Sequence, residues 1–434
     1  MGATTEAEVT TEAEAVTGIR FCFRFYRGYV ILFLIMSKKY LIVGAGPAGL
    51  TLACSLLKKG IKDIQVLEKE ACAGGLCRSE TVDSSPLDIG GGHFLDVRRP
   101  AVDDFLFEYM PRDEWDRYER DSRIQVGDNL VGHPLEANIW QMKLDDQVEY
   151  LKSIAAAGCN TGAPMPEKFV DWIFWKLGQR IAEDYMIPYN KKMFAEDLDS
   201  LGTYWLEKLP DVSFEDTLRS CLTGKAYGKQ PGHAEFFYPK KYGYGEVWLR
   251  MAESLGDRLI CSESAVTLDL KAKTVNDKYE ADVIINTAPW AAYSEIRDLP
   301  EDLKEGIGRL RTSSIVVDYY PENLDTKAQW IYYPDDALCY HRILVRHNFC
   351  PGSKGYWTET NASRLGLRKR EPSYSCLNEY AYPLNTIGKP EFMAKLLNYL
   401  KGRGVIGLGR WGEHSHYNSD LVVELGMKLA DELE

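Results

Sequence analysis

The run YLIVGAGPAG, from Tyr40 to Gly49, constrains this chain more than any other stretch. Tyr40, Leu41, Ile42 and Val43 form a short apolar run, the pattern of a strand covered on both faces. Gly44, Gly46 and Gly49 follow at G-x-G-x-x-G spacing, with Pro47 and Ala48 inside the pattern. The first glycine makes a tight turn, the second admits a pyrophosphate to the backbone, and the third lets helix and strand pack closely. Leu50, Ala53, Leu56 and Leu57 recur at helical spacing; Lys58 and Lys59 suit the negative end of that helix, and Gly60 closes it. The unbonded N–H groups at its start favour an anion. A second strand, Ile64 to Leu67, ends at Glu68, 19 residues past Gly49, where a carboxylate accepts hydrogen bonds from a ribose. Glycine spacing alone is a weak signal. Strand, turn, helix, strand and acid in that order favour a dinucleotide site over a merely structural turn.

Two further glycine-rich turns follow, Gly74-Gly75-Leu76-Cys77-Arg78-Ser79 and Asp88-Ile89-Gly90-Gly91-Gly92-His93. Backbone without a Cβ can approach a flat ligand. Two such turns after the acid favour a long, bipartite cofactor such as FAD over two ordinary turns. Near the C-terminus, Val405 to Gly412 carries Gly409 and Arg410, and His416-Tyr417-Asn418-Ser419-Asp420 precedes a helix over 421–434. Its apolar residues recur at 421, 422, 425 and 429, with Asn418, Ser419 or Asp420 as cap. A capped helix start beside Gly-Arg-x-Gly suits the pyrimidine edge of an isoalloxazine, whose carbonyls need N–H donors.

Residues 101–210 read as mostly helical. Phe169, Ile173, Leu177, Ile181 and Tyr185 share one face, core by default, and Pro188 is expected to end that helix. From about 258 the pattern turns to strands: 259–261, 265–270 and 281–286, the last running into Thr287-Ala288-Pro289-Trp290, then 314–319, 330–333 and 342–346. With 434 residues the chain can bury a large core in two or three domains, some discontinuous. Its 45% hydrophobic and 27% charged content is that of an ordinary globular protein. A net charge of −12 argues against nucleic acid or anionic membrane as main partners, so an anionic substrate must meet a local basic cluster. The ten cysteines show no metal spacing and read as reduced thiols of a cytosolic enzyme; His414 and His416 lack companion ligands, and no metal site is expected. Residues 1–18 look like a disordered tail. The apolar run Tyr29 to Met36 is too short to span a bilayer, and Met36 is expected to begin the functional protein.

Together these pieces resemble the FAD-dependent UDP-galactopyranose mutases, within the wider group of amine oxidases and protoporphyrinogen oxidase. GAGPAGL, GGLCRS and GGGH are shared across that group. Narrower matches favour the mutases: the helix DWIFWKLGQRIAEDYMIPYNKKMFA; Phe237-Tyr238-Pro239 through Gly245-Glu246-Val247-Trp248; Trp330-Ile331-Tyr332-Tyr333-Pro334 with Tyr340-His341-Arg342; and GRWGEHSHYNSD. The resemblance implies an α/β fold of glutathione-reductase type. Its parts would be a discontinuous Rossmann-like FAD-binding domain (37–100, 211–295, 395–434), an inserted helical domain (101–210) and an antiparallel β-sheet domain (296–394), after an extension over 1–36.

Carried over by residue, the resemblance assigns FAD contacts to Gly44, Gly46, Pro47, Ala48, Gly49, Glu68, Lys69, Gly75, Leu76, Arg78, Gly92, His93, Val266, Gly409, Arg410, Asn418 and Ser419. Arg342 and Tyr332 would hold the diphosphate of a sugar nucleotide, because a guanidinium offers phosphate a fork of donors and is always charged. Lys240, Lys241, Arg346 or Arg410 would assist. His93 would sit over the flavin, and Asn190, Phe194, Trp330, His416 and Tyr417 would meet the substrate. Departures fall on the substrate side: His133-Pro134-Leu135 replaces an aromatic base-flanking motif, His416 stands for a tyrosine and Asn418 for a carboxylate. A second phosphate-binding arginine has only Lys208 or Leu209 near its place. The implied activity is redox-neutral interconversion of pyranose and furanose forms through reduced FAD acting as nucleophile. It implies an external reductant such as NAD(P)H, a cytoplasmic location and a homodimer. The alternatives are an FAD oxidoreductase acting on an amine or hydrophobic substrate, and a flavin-binding protein without catalysis.

Overall fold

The computed structural model describes residues 19–26, 29–36, 38–195, 197–206, 209–228 and 234–433. At its centre five parallel strands run in the order Leu259–Ile260, Ile64–Leu67, Tyr40–Val43, Val283–Asn286, Val405–Gly407. The apolar run at 40–43 is buried because its side chains alternate between two cores. Tyr40 and Ile42 join the larger cluster, while Leu41 and Val43 join the smaller one around Trp290, Leu303 and Leu396. The helix Pro47–Lys58 packs on Ser419–Glu432 and Gly245–Leu255. Close approach is built in: a Cβ at Gly426 would meet the Thr51 side chain at 3.1 Å.

A seven-stranded sheet stands beside this layer in the order Asn129–Gly132, Ser122–Val126, Trp330–Tyr332, Tyr340–Val345, Tyr356–Asn361, Thr312–Tyr320, Tyr374–Pro383. Its pairs are antiparallel except Ser122–Val126 with Trp330–Tyr332, which run parallel. Residues 101–210 are mostly helical, as expected, but the stretch also gives strands to the sheets. Trp115–Glu119, Ser122–Val126 and Asn129–Gly132 are strands, and after Pro100–Phe107 and the short 3-10 turn Arg112–Glu114 the helices of this stretch begin at Leu135.

The expected apolar face of the following helix is buried throughout, from Phe169 to Tyr185. Its course differs from expectation. Phe169–Ile181 kinks at Gly178 (φ +75°), where a Cβ would strike the Ser153 carbonyl at 2.4 Å, so only glycine fits the crossing. Pro188 does not end the helix. One π turn, Ala182–Met186, precedes a further helical segment, Ile187–Phe194, so the proline sits in a first turn, where its missing N–H costs little. The expected tail over 1–18 lies outside the described residues, as does Lys208. Ile19–Tyr26 and Tyr29–Met36 pair as an antiparallel hairpin. Among the described residues no helix is long and apolar enough to cross a membrane.

Candidate active site

The nucleotide turn is built by close contacts. Gly44 adopts φ +101°, and a Cβ there would lie 2.4 Å from Thr287 Oγ1, whose hydroxyl donates to the Val43 carbonyl at 2.7 Å. A Cβ on Gly49 would lie 1.9 Å from the Gly44 carbonyl oxygen, so this glycine serves helix–strand packing rather than the ligand surface. At Gly46 the nearest atom to an added Cβ is Gly75 Cα at 3.7 Å, so the two glycine turns face each other across open backbone. The first turn of Pro47–Lys58 carries no acidic residue and no side-chain cap, which leaves its N–H groups for an anion. Glu68 is buried, and each of its oxygens is fixed by one backbone donor, Ala45 N–H at 2.8 Å and Glu70 N–H at 2.9 Å. Each carboxylate oxygen can still accept a second bond, as a ribose diol requires.

These groups line a groove of about 740 Å³. Of the residues assigned from sequence, its wall contains Gly44, Gly46, Pro47, Ala48, Glu68, Lys69, Gly75, Leu76, Arg78, His93, Val266, Arg410, Tyr417 and Ser419. Gly409 is not on that wall: it packs on the helix, where a Cβ would meet Ala48 Cβ at 2.8 Å. Gly92 and Asn418 line a second, inner chamber of about 190 Å³ instead, together with Trp330, Arg342, His416, Arg120 and Tyr382. His93, Arg410 and Ser419 belong to both walls, so groove and chamber meet there. Asn418 stands at the N-cap of Ser419–Glu432, though its side chain makes no capping bond.

His93 Nδ1 lies 3.0 Å from the Gly91 carbonyl. A carbonyl only accepts, so Nδ1 carries the proton and Nε2 keeps its lone pair. Burial, then the nearby Arg410 and Arg342 charges, hold this imidazole down at about 3, and it is neutral at physiological pH. Arg342 pairs with Glu359 at 2.5 Å and donates to the Tyr382 hydroxyl at 3.2 Å, while its buried Nε has no partner. Glu359 also accepts from Gly92 N–H at 3.1 Å, which ties the His93 turn to the arginine. Arg410 donates through all three nitrogens to main-chain carbonyls, two bonds to Tyr417 and one to Ala381.

Other assignments fall elsewhere. Tyr332 is buried behind the chamber, its ring against His133 and Tyr189 and its hydroxyl accepting from Arg120 at 2.8 Å. Asn190 is spent on its own helix, Nδ2 donating to the Met186 carbonyl, and Phe194 packs edge-on to Trp205. Neither lines the groove or the chamber. Arg346 is fully buried on the carbonyls of Val82, Ser85, Pro86 and Lys354 and cannot assist at the chamber. Lys240 is exposed beside Asp116, and Lys241 is exposed too; neither is on the chamber wall. Three residues that sequence reading did not single out complete the site: Glu359, Tyr382 and Arg120. Of these only Glu359 left a signal, the one charged residue in the strand YWTETN.

A family model described as an NAD(P)-binding Rossmann-like domain matches residues 42–109. A curated relative from Methanothermococcus thermolithotrophicus, an uncharacterized protein in the nifH2 3' region, is 50% identical over 52 residues, 12% of this chain and 49% of its own length. The match thus spans about half of that relative. Among solved structures, cyclohexylamine oxidase from Brevibacterium oxydans IH-35A superposes with a TM-score of 0.62 at 13% identity, over 92% of this chain and 98% of that one. Reduced UDP-galactopyranose mutase superposes with a TM-score of 0.82 at 23% identity, over 92% of this chain and 94% of that one. The chain therefore has the Rossmann-like, mixed α/β architecture that these two enzymes share. Within that architecture its resemblance is greater to UDP-galactopyranose mutase.

Proposed function

We propose that this chain binds FAD in the groove and is a nucleotide-sugar mutase that interconverts pyranose and furanose forms. The observation that carries this reading is the charge of the inner chamber. Its lining residues include Arg120, Arg342 and Arg410 and no aspartate or glutamate, with Glu359 as the one carboxylate paired to them among the described residues. A protonated amine would meet an excess of like charge there, whereas a diphosphate would be stabilised. That disfavours the amine-oxidising alternative.

The groove residues fit the cofactor: an anion-ready helix start, two glycine turns face to face, and a fixed carboxylate with accepting capacity left. Held by these residues, FAD in its reduced form would supply a nucleophile for exchange at the anomeric carbon. Arg342 holds the leaving diphosphate close so that it can return. His93, neutral and with Nε2 free to accept, orients a hydroxyl at the junction. Glu359 fixes Arg342 relative to the His93 turn. The reaction is tested by incubating the FAD-loaded protein with a panel of nucleotide sugars, with and without dithionite. An isomer of equal mass formed only after reduction is expected. Oxygen consumption with amines and no sugar isomer would overturn the assignment.

A further inference from the structure

We propose that Arg120 is the second anion-binding arginine of the inner chamber, so that the chamber takes a ligand with two adjacent negative charges. The inference rests on the nucleotide-sugar reading and adds a residue from a segment that the sequence patterning had placed among helices. Arg120 sits between Trp115–Glu119 and Ser122–Val126. Its guanidinium lies 4.4 Å from the centre of the Trp330 ring, its Nε donates to Ser122 Oγ at 2.7 Å, and Nη2 donates to the Tyr332 hydroxyl at 2.8 Å.

None of these partners is an anion. Three residues on, Arg123 pairs with Asp121 at 2.5 Å, so a carboxylate is available locally and is turned to the other arginine. Arg342 has Glu359, and Arg410 has only carbonyls. Three guanidinium groups against one carboxylate leave an excess of two positive charges around a chamber of about 190 Å³. Cations held in a confined, weakly solvated space are costly without counterions, and a bound dianion supplies them. The placement suits a clamp. Tyr332, which accepts from Arg120, is the register partner of Arg342 across antiparallel strands, and both arginines line the one chamber. Arg120 lines the chamber and not the groove, which separates its role from that of the cofactor.

Calorimetry of UDP, UMP and inorganic diphosphate on flavin-loaded wild type, Arg120→Met and Arg120→Lys tests this, with flavin absorbance reporting the fold. Arg120→Met should weaken UDP and diphosphate by about 30- to 100-fold and UMP by about tenfold or less, with a shallower salt dependence. Arg120→Lys should recover part of the loss, and the flavin spectrum should not change. UDP affinity within about two-fold of wild type in Arg120→Met, or loss of flavin from both variants, would overturn the clamp while leaving mutase activity standing. A wild type that binds neither UDP nor diphosphate would instead overturn the nucleotide-sugar reading, and the clamp with it.

Discussion

Replacing Arg342 by methionine probes the ion pair that joins the chamber wall to the His93 turn. The Glu359 side chain is 1% exposed, and among the described residues its one donor apart from Arg342 is Gly92 N–H at 3.1 Å. The His341 ring lies 3.8 Å away, but burial, the largest cause of its lowered proton affinity, and the Lys192 charge still disfavour its protonation once the Arg342 charge is gone. Removing the guanidinium therefore strands an anion on a single neutral hydrogen bond. Breaking a buried pair by deleting one partner costs about 3–5 kcal/mol. For roughly 400 ordered residues at about 2.1 cal/mol/K each, the unfolding entropy is about 0.8 kcal/mol/K, so Tm should fall by about 4–6 °C. The double variant Arg342→Met/Glu359→Gln removes the stranded charge and should regain about 2 kcal/mol, melting about 2–3 °C above the single variant. Scanning calorimetry at saturating FAD suits the comparison, because bound cofactor shifts Tm by mass action. A single variant melting within about 1 °C of wild type, or a double variant no more stable than the single one, would refute the reasoning.

The glycine turn makes a paired prediction. Gly46→Ala meets nothing closer than 3.7 Å and should fold normally while losing flavin affinity by about 10- to 100-fold, whereas Gly49→Ala, with a contact at 1.9 Å, should fail at folding itself; flavin titration and circular dichroism separate the two. Thr287→Val removes the hydroxyl donated to the Val43 carbonyl and should cost about 0.5–1.5 kcal/mol in urea unfolding. His93, held at about 3 in the fold against an ordinary value near 6.5, binds its proton less readily folded than unfolded. Stability is thus lost as pH falls from about 6.5 toward 3, by up to about 1.4 kcal/mol per pH unit for this one group. His133, also pushed to about 3 by burial and then Arg120, adds to the same window. Urea midpoints at pH 7 and pH 5 should therefore lie closer together in His93→Gln than in wild type, and an unchanged gap would show that this ring does not titrate as described.

What the sequence by itself determined is the nucleotide turn. Its glycines, the strand before it, the helix after it and Glu68 are neighbours along the chain, and local spacing dictates their geometry. The strands at 312–320 and 340–345 were legible for the same reason, since alternation over a few residues reports burial on a sheet. Segment 115–132 was not legible: its strands carry arginines, acids and short polar runs, and two of them pair with distant chain, Trp115–Glu119 with Glu235–Pro239 and Ser122–Val126 with Trp330–Tyr332. Asn190 and Phe194 lie in a helix whose motif resembled a substrate contact, yet the Gly178 kink and the π turn direct them into the core.

Only the tertiary structure decided which charges meet in the chamber. Arg120, Arg342, Glu359 and Arg410 come from four separate segments. A one-residue slip in any strand register would turn such side chains to the opposite face of the sheet. Long-range pairing chooses that register, and spacing along the chain carries no record of it.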